Sequence, residues 1–344
     1  MIKFSEYVSL GHPDKVADYI SQYLLDRYIE RDPDTRYAVE VQIKDNEVTL
    51  GGEVTSKCSF KRQQIVDFVR AAVEEIGYTR EYAEKWGFEN TVCADIIGVN
   101  IYISQQSTDI AQGLHGWGDQ GIFFGYCSAN DDTAGMPYEH TLAKRICKKL
   151  FESGLGGLDI KAQVITDNDE VKKIIVAIPL MYDQDKEQVE RYVRTLSDVG
   201  KDCVIIINGT GRYVQHSSIA DCGTTGRKLV VDFYGGACRI GGGSPWTKDA
   251  SKADLTLNLF ARALAKEYAK KKGCDVFVSI ACCIGSRVLD VSICDAVDNI
   301  LWEGQYEIDP ATLRERFGLD KPIYASMCRW GLFGEYQTDK AWEK

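Results

Sequence analysis

Four polar stretches punctuated by glycine carry the residue types in this chain that could do chemistry. They are residues 11–15 (GHPDK), 116–121 (GWGDQG), 211–228 (from GRY to DCGTTGRK) and 241–249 (GGGSPWTKD). Glycine lets backbone N–H groups come close to a ligand, and each stretch also carries charged side chains. This combination indicates sites for anions.

The first of these stretches lies where a helix is predicted to begin. His12 and Asp14 flank Pro13, which suits the first helical turn. Free N–H groups and the helix dipole favour a phosphate there, and a carboxylate can hold Mg²⁺. An aspartate in a first turn is more often a cap or a dipole partner, so this stretch alone leaves both interpretations open.

Basic residues are concentrated near the last two stretches, although the chain as a whole is acidic. It has 41 basic and 51 acidic residues, giving a net charge of −10. Five cations nevertheless lie within 26 residues: Arg227, Lys228, Arg239, Lys248 and Lys252. The Walker pattern G-x-x-x-x-G-K-[ST] is absent, and a solvated turn is the alternative for 241–249. The clustering of cations favours a polyphosphate ligand.

Composition excludes several classes of protein. The acidic net charge argues against a duplex nucleic acid or an anionic membrane as the partner. No apolar run of about 18 residues and no signal peptide is found, so we expect a cytoplasmic protein. The 12 cysteines are scattered without C-x-x-C spacing, and the four histidines are not paired at i,i+4. We therefore expect reduced thiols and no zinc site.

The periodicity of apolar residues predicts an α+β protein. Helical spacing extends from Pro13 to about Glu30, and alternation predicts a hairpin with strands at 37–43 and 48–54. A second helix leads into a strand-like stretch from Val92 to Ser104. The same order of helix and strands recurs within 138–165, 186–207 and 251–284. We expect helices on one face of mostly antiparallel sheets, with a repeated α/β unit.

Five motifs occur in the same order as in a known family: GHPDK at 11–15, GGE at 51–53, GDQG at 118–121, DCGTTGRK at 221–228, and GGG at 241–243 followed by Lys248-Asp249. They resemble the S-adenosylmethionine synthetase family, also called methionine adenosyltransferase, over roughly Phe4 to Ile284. The resemblance implies ATP and L-methionine as substrates and Mg²⁺ and K⁺ as metals. The implied products are S-adenosylmethionine, phosphate and pyrophosphate.

The resemblance also implies an architecture. We expect one compact catalytic chain, 1–344, of three intertwined similar α/β domains, whose first segments are about 1–58, 59–136 and 137–344. The implied assembly is a homodimer with active sites at the interface, and a tetramer remains possible.

Motif matching assigns roles to individual residues. The catalytic set is His12, Lys161, Arg227, Lys228 and Lys248. ATP binding adds Asp159, Arg212, Tyr213, Asp221 and Ser244. Methionine binding is implied for Glu53, Gln106, Asp119, Asp221 and Lys252. The implied metal ligands are Asp14 and Asp254 for Mg²⁺ and Glu40 for K⁺. For Glu40, an ordinary exposed strand glutamate is the alternative.

These residue types suit the implied reaction. The methionine sulfur is already a neutral nucleophile, so attack on C5′ of ATP needs no general base. A triphosphate leaving as one unit does need cations around it. Two alternatives stay open: a tripolyphosphate or ATP hydrolase on the same scaffold, and a non-catalytic nucleotide-binding regulatory subunit.

The chain also departs from the family pattern. Only eight residues, 110–117, separate Asp109 from Gly118, so the active-site lid is expected to be short and its closure incomplete. Trp117, Pro245 and Trp246 stand where other residues are usual. Trp117 could form an aromatic wall at the site or simply pack in the core.

Overall fold

The computed structural model describes residues 1–105, 116–182, 185–196 and 199–344. The strands in these ranges are β1 (Ile2–Val8), β2 (Arg36–Lys44), β3 (Glu47–Thr55), β4 (Gly98–Ser104), β5 (Gly121–Cys127), β6 (Lys161–Asp167), β7 (Glu170–Ala177), β8 (Val204–Ile207), β9 (Gly223–Thr224), β10 (Val276–Cys282), β11 (Val288–Asp295) and β12 (Ile300–Glu307). The helices are α1 (Pro13–Ile29), α2 (Arg62–Ile76), α3 (Arg80–Trp86), α4 (Tyr138–Ser153), α5 (Asp185–Arg194), α6 (Ser217–Ala220), α7 (Leu229–Asp232), α8 (Ala253–Lys272), α9 (Pro310–Phe317) and α10 (Tyr324–Cys328).

The strands form three four-stranded sheets. Their orders are β1-β6-β7-β8, β4-β3-β2-β9 and β12-β11-β10-β5. Within the described ranges, only β3–β4 and β7–β8 pair in parallel, and the other neighbouring strands are antiparallel. The prediction of an α+β fold with mostly antiparallel sheets is confirmed.

Each sheet carries a helix on one face. Helix α4 packs on β1 and β6, α1 on β2, and α8 on β5 and β10. Buried and exposed side chains alternate along β2: Val39, Val41 and Ile43 are buried, whereas Glu40 and Gln42 are exposed on the opposite face. Burying one such aliphatic side chain contributes roughly 1.5–3 kcal/mol, so the α1 interface fixes which face of β2 points outward.

Strands that are distant in sequence complete each sheet. β1 pairs with β6 from Ile2↔Asp167 to Val8↔Lys161, and β5 pairs with β10. A cut of the chain into consecutive pieces would therefore leave strands without partners. The approximate segment bounds 1–58, 59–136 and 137–344 stay a prediction.

The strand expected from Val92 begins later than its apolar sequence indicates. β4 starts at Gly98, and Ala94–Ile96 form a turn of 3₁₀ helix. Residues 92–94 are buried, and their backbone bonds to other parts of the chain: the Cys93 N–H donates to Asn46 Oδ1 and the Ala94 N–H to the Tyr78 carbonyl. Burial without pairing explains why the segment resembles a strand in sequence.

The C-terminal segment is tied to the third sheet by a buried ion pair. The guanidinium of Arg262, in the middle of α8, donates from Nε and Nη2 to Glu343 at 3.0 and 2.8 Å. It also donates to the carbonyl oxygens of Tyr126 and Gly135. Because both side chains are fully buried, loss of Glu343 would leave the Arg262 guanidinium without its carboxylate, whereas Glu343 also accepts from Lys266 Nζ at 3.0 Å.

None of the helices in the described ranges combines the length and the apolar character that crossing a membrane requires.

Candidate active site

His12 caps the N-terminus of α1. Its Nδ1 accepts a hydrogen bond from the Asp14 N–H at 3.1 Å, and Pro13 occupies the first turn. A neutral ring that accepts at Nδ1 carries its proton on Nε2. Burial lowers the pKa of His12 well below its ordinary value, and the nearby Lys228 and Lys161 lower it further. His12 is therefore a neutral hydrogen-bond donor at neutral pH.

Asp14 joins the start of α1 to the DCGTTGRK segment. Its Oδ1 accepts from the Thr224 N–H at 2.9 Å, and its Oδ2 accepts from Lys228 Nζ at 2.5 Å. Arg227 Nε lies 3.7 Å from the same carboxylate. The side chain of Asp14 is only 1% exposed. The structure thus brings Asp14, Arg227 and Lys228 together at the N-terminus of α1, where His12 is the cap.

Strand β2 holds this segment in place. β9 pairs with Gln42 and Ile43, and the Thr225 N–H donates to the Val41 carbonyl at 3.0 Å. Gly223 lies directly against the Pro13 carbonyl, where a Cβ atom would clash. Only glycine allows this close approach between the segment and α1.

The 241–249 stretch extends along the same edge of β2. The Val39 N–H donates to the Thr247 carbonyl at 3.1 Å, and Asp249 exchanges hydrogen bonds with the backbone of Tyr37. Lys248 bridges Ala38 through the backbone, and its ammonium pairs with Asp254 in the first turn of α8. Both proposed Mg²⁺ ligands thus lie in first helical turns, each paired with a lysine.

Glu40 connects the two segments. Its carboxylate accepts from the hydroxyl of Thr225 and, at 3.0 Å, from the hydroxyl of Thr247. Thr247 has a φ of 72°, a left-handed conformation that is rare for a β-branched residue. Motif reading missed both threonines. Glu40 is exposed, yet its carboxylate is anchored, unlike that of an ordinary strand glutamate.

A second group of motif residues surrounds Asp159. This carboxyl is buried, its Oδ2 accepts from the Ser217 N–H at 3.1 Å, and burial raises its pKa to about 6. Its Oδ1 has no hydrogen-bond partner in the described part of the chain. Tyr213 donates its hydroxyl to the Asp159 carbonyl at 3.2 Å. Lys161 begins β6 two residues later with an exposed side chain.

Six further assigned residues lie within the described ranges. Glu53 stands opposite Ala38 in the hairpin, in the same row as Lys248. Arg227, Lys228 and Lys248 lie in two cation-bearing segments, residues 221–228 and 241–249. Within the described ranges, no hydrogen bond or ion pair connects the side chains of Glu53, Asp119 or Lys252 to these cation-bearing segments. Arg212 and Asp221 are exposed, Ser244 is half-buried against Gly226, and Gln106 lies outside the described residues.

Most of the expected short lid, residues 110–117, also lies outside the described ranges. Trp117, at its end, is fully buried in the core, and its backbone pairs with Ser286 and Gly285. Its indole packs in the core, as in the simpler of the two alternatives.

Comparison with known proteins is consistent with this geometry. Residues 1–108 match the N-terminal domain and residues 216–344 the C-terminal domain of S-adenosylmethionine synthetase. The S-adenosylmethionine synthases of Mycobacterium sp. (strain KMS) and Clostridium tetani are 33% and 31% identical, over 99% and 98% of this chain and 95% of theirs. The chain belongs to the S-adenosylmethionine synthetase family.

A solved structure extends this relationship to the fold. An unusual S-adenosylmethionine synthetase from Campylobacter jejuni superposes with a TM-score of 0.90 at 30% identity, covering 100% of this chain and 96% of that one. Membership of the S-adenosylmethionine synthetase family makes this chain an enzyme, a methionine adenosyltransferase.

Proposed function

We propose that the chain forms S-adenosylmethionine from ATP and L-methionine by direct attack of sulfur on C5′, and then cleaves tripolyphosphate to phosphate and pyrophosphate. The observation that carries this proposal is the neutral His12 beside Arg227 and Lys228 at the N-terminus of α1. A leaving triphosphate requires hydrogen-bond donors and cations that are already in place, and this arrangement provides both.

In this proposal His12 donates from Nε2 to the 5′ oxygen, on which negative charge grows as the C5′–O bond breaks. Lys161 supports the same oxygen, since it lies close enough to lower the pKa of His12. Arg227, Lys228 and Lys248 take the phosphate oxygens, and the backbone near Ser244 adds N–H donors. No proton has to leave the sulfur, because a thioether attacks without one.

The carboxylates fit Mg²⁺ that arrives with its triphosphate. In the described ranges no three His, Cys, Asp or Glu side chains converge as a ready-made metal site. Mg²⁺ commonly uses one or two carboxylates together with substrate phosphates, as Asp14 and Asp254 would provide. Bound there, Mg²⁺ would neutralise phosphate charge. Lys228 and Lys248, now paired with these carboxylates, would turn to the phosphates.

The surroundings of Glu40 fit K⁺ in the kind of ligand they offer. They consist of oxygen atoms from its carboxylate and from the hydroxyls of Thr225 and Thr247. We propose that K⁺ binds next to this group and adds a positive charge at the edge of β2.

The adenosine half of ATP would lie at Asp159 and Tyr213. Asp159 Oδ1 is a buried acceptor without a partner in the described ranges, which suits a ribose hydroxyl. Tyr213 offers its ring to adenine, with Arg212 and Asp221 beside it. On the methionine side, Glu53, Asp119, Asp221 and Lys252 offer the charges that pair with a zwitterion, and Gln106 belongs to the same proposed set.

We also propose a cytoplasmic homodimer with shared active sites, with a tetramer as a larger form. Within the described ranges, the side chains of Glu53 and Asp119 make no hydrogen bond or ion pair with the cation-bearing segments. Large apolar side chains also remain exposed on the sheets, including Phe4, Tyr102 and Ile122. Both observations support a second copy that covers the sheets and completes each site.

One assay tests the proposal against its alternatives. The chain is incubated with ATP, methionine, Mg²⁺ and K⁺, and S-adenosylmethionine is measured by mass spectrometry together with phosphate. We expect both products. Phosphate without the sulfonium would favour a hydrolase, and the absence of both would favour a regulatory subunit.

A further inference from the structure

A buried charge cluster lies beneath the phosphate side of the proposed site. Lys15 Nζ contacts both carboxylate oxygens of Asp232, at 2.7 and 2.8 Å, and Asp18 Oδ2 at 3.2 Å. All three side chains are at most 2% exposed. None of the three has a role in the proposed function.

Trp246 closes this cluster from the side of the 241–249 stretch. Its indole is fully buried, and Nε1 donates to Asp232 Oδ2 at 2.8 Å. Lys15 Nζ lies 4.7 Å from the centre of the same ring, where a cation is attracted to the aromatic face. Trp246 therefore contacts both members of the ion pair.

The members of the cluster connect three segments that bear proposed site residues. Lys15 follows Asp14 in the first turn of α1. The Gly226 N–H, directly before Arg227, donates to Asp18 Oδ1 at 2.9 Å. Trp246 lies two residues before Lys248, and Asp232 ends α7, which begins directly after Lys228. One connected set of hydrogen bonds thus joins α1, residues 226–232 and the 241–249 stretch.

Electrostatics explains why the set acts as a unit. Burial alone would lower the pKa of Lys15, but Asp232 and Asp18 raise it above its ordinary value, so the ammonium stays charged. Removing Lys15 would leave Asp18 and Asp232 buried without the cation that they share. The indole is neutral, so replacing it perturbs the geometry of the set while keeping its charges.

We propose that Lys15, Asp18, Asp232 and Trp246 form a positioning network that holds the phosphate-binding segments in register, with Trp246 as a positioning residue for turnover. The inference rests on the proposed function. A displacement of about 1 Å at reacting groups can cost on the order of 100-fold in rate, so a partial loosening should be measurable.

The test compares two tryptophan variants. Trp246→Phe removes the N–H donor to Asp232, while the matched control Trp342→Phe removes a buried indole N–H that donates to the Leu332 carbonyl at 3.2 Å. We expect both to lower Tm by a similar amount. Only Trp246→Phe should lower kcat for S-adenosylmethionine formation, by roughly tenfold, with KM for methionine unchanged within twofold.

A binding measurement separates this inference from the proposed function. The dissociation constant of tripolyphosphate with Mg²⁺, measured by calorimetry, needs no turnover, and Trp246→Phe should raise it several-fold. Lys15→Arg, which keeps the charge but changes its geometry, should do the same and replaces Trp246→Phe if that variant does not fold. Wild-type kcat and wild-type tripolyphosphate affinity in a destabilised Trp246→Phe would overturn the proposal.

Discussion

At the scale of single residues, the site is built from a neutral histidine and an ion-paired carboxylate. His12 stays neutral because it is buried beside cations, and Asp14 is held by Lys228 and the Thr224 N–H. Neither group has to change its charge for sulfur to attack carbon. The chemistry then depends on cations that meet the growing negative charge.

Lys161→Met tests this dependence directly. The side chain of Lys161 is exposed at the start of β6 and has no hydrogen bond or ion pair within the described ranges, so Tm should stay within about 2 °C of wild type. By contrast, kcat should fall on the order of 100- to 1000-fold. The matched control is Lys173→Met on the neighbouring β7, which should leave kcat unchanged. A Lys161→Met enzyme within threefold of wild type would show that another cation supports the 5′ oxygen.

The environment of His216 predicts how the free energy of unfolding depends on pH. Its Nδ1 donates to the Val214 carbonyl at 2.7 Å, so Nε2 accepts from the Tyr82 hydroxyl, also at 2.7 Å. Burial lowers the pKa of His216 to about 4. The unfolded chain binds this proton near pH 6.5, so the stabilisation is complete above pH 6.5 and is lost as pH falls towards 4. The full effect is roughly 3 kcal/mol.

Wild type is compared with His216→Phe because other buried groups also change the stability in this pH range. Burial raises the pKa values of Asp26 and Asp159 to about 6, so these two carboxyl groups add stability as the pH falls. The free energy of unfolding, measured with urea, should fall more between pH 7 and pH 4.5 for wild type than for His216→Phe. Equal losses would mean that His216 titrates normally in the folded state.

At the scale of elements, the long periodic segments were predictable and the short ones were not. Helix α1 and the hairpin of β2 and β3 follow from periodicity, because each has one buried face. β9 has two residues, and 247–249 pairs only through isolated bonds, so neither leaves a pattern in sequence. The pairing of Lys15 with Asp232, 217 residues away, is invisible for the same reason. The motifs identified the chemistry, but not the edge of β2 that assembles it.

Substitutions of Thr247 test whether the backbone is strained at that edge of β2. Its left-handed backbone disfavours any side chain, while its hydroxyl bonds to Glu40. Thr247→Ala keeps the strain and loses the bond, whereas Thr247→Gly loses the bond but relieves the strain. We expect the free energy of unfolding to be lower for Thr247→Ala than for Thr247→Gly by about 1 kcal/mol, measured by urea denaturation. An alanine variant more stable than the glycine variant would contradict this account of the backbone.

At the scale of the whole molecule, three interleaved sheets present outward faces that carry both site residues and apolar side chains. His12 and Lys161 lie close enough within one chain for Lys161 to lower the pKa of His12, so the proposal assigns both to the same chain's contribution to a site. Among the described residues, the Asp119 side chain has no hydrogen bond or ion pair with His12 or Lys161, and we propose it as a residue supplied across an interface.

Mixed oligomers test this sharing. Co-expressed chains carrying His12→Ala and Asp119→Asn should recover activity, because one site of each mixed dimer would receive two intact contributions; random pairing gives about a quarter of wild-type activity. The control mixes His12→Ala with Lys161→Met and should recover none. Verified mixed dimers of the first kind without activity would mean that Asp119 serves a site within its own chain.

The most direct test of the central claim is a single-turnover experiment with ATP, methionine and Mg²⁺ and K⁺, quenched at intervals and analysed by mass spectrometry. Direct attack of sulfur on C5′ predicts that S-adenosylmethionine and intact tripolyphosphate appear together in equal amounts, with phosphate and pyrophosphate following later. Phosphate that appears before, or without, S-adenosylmethionine would contradict the account, because the triphosphate would then not leave as one unit.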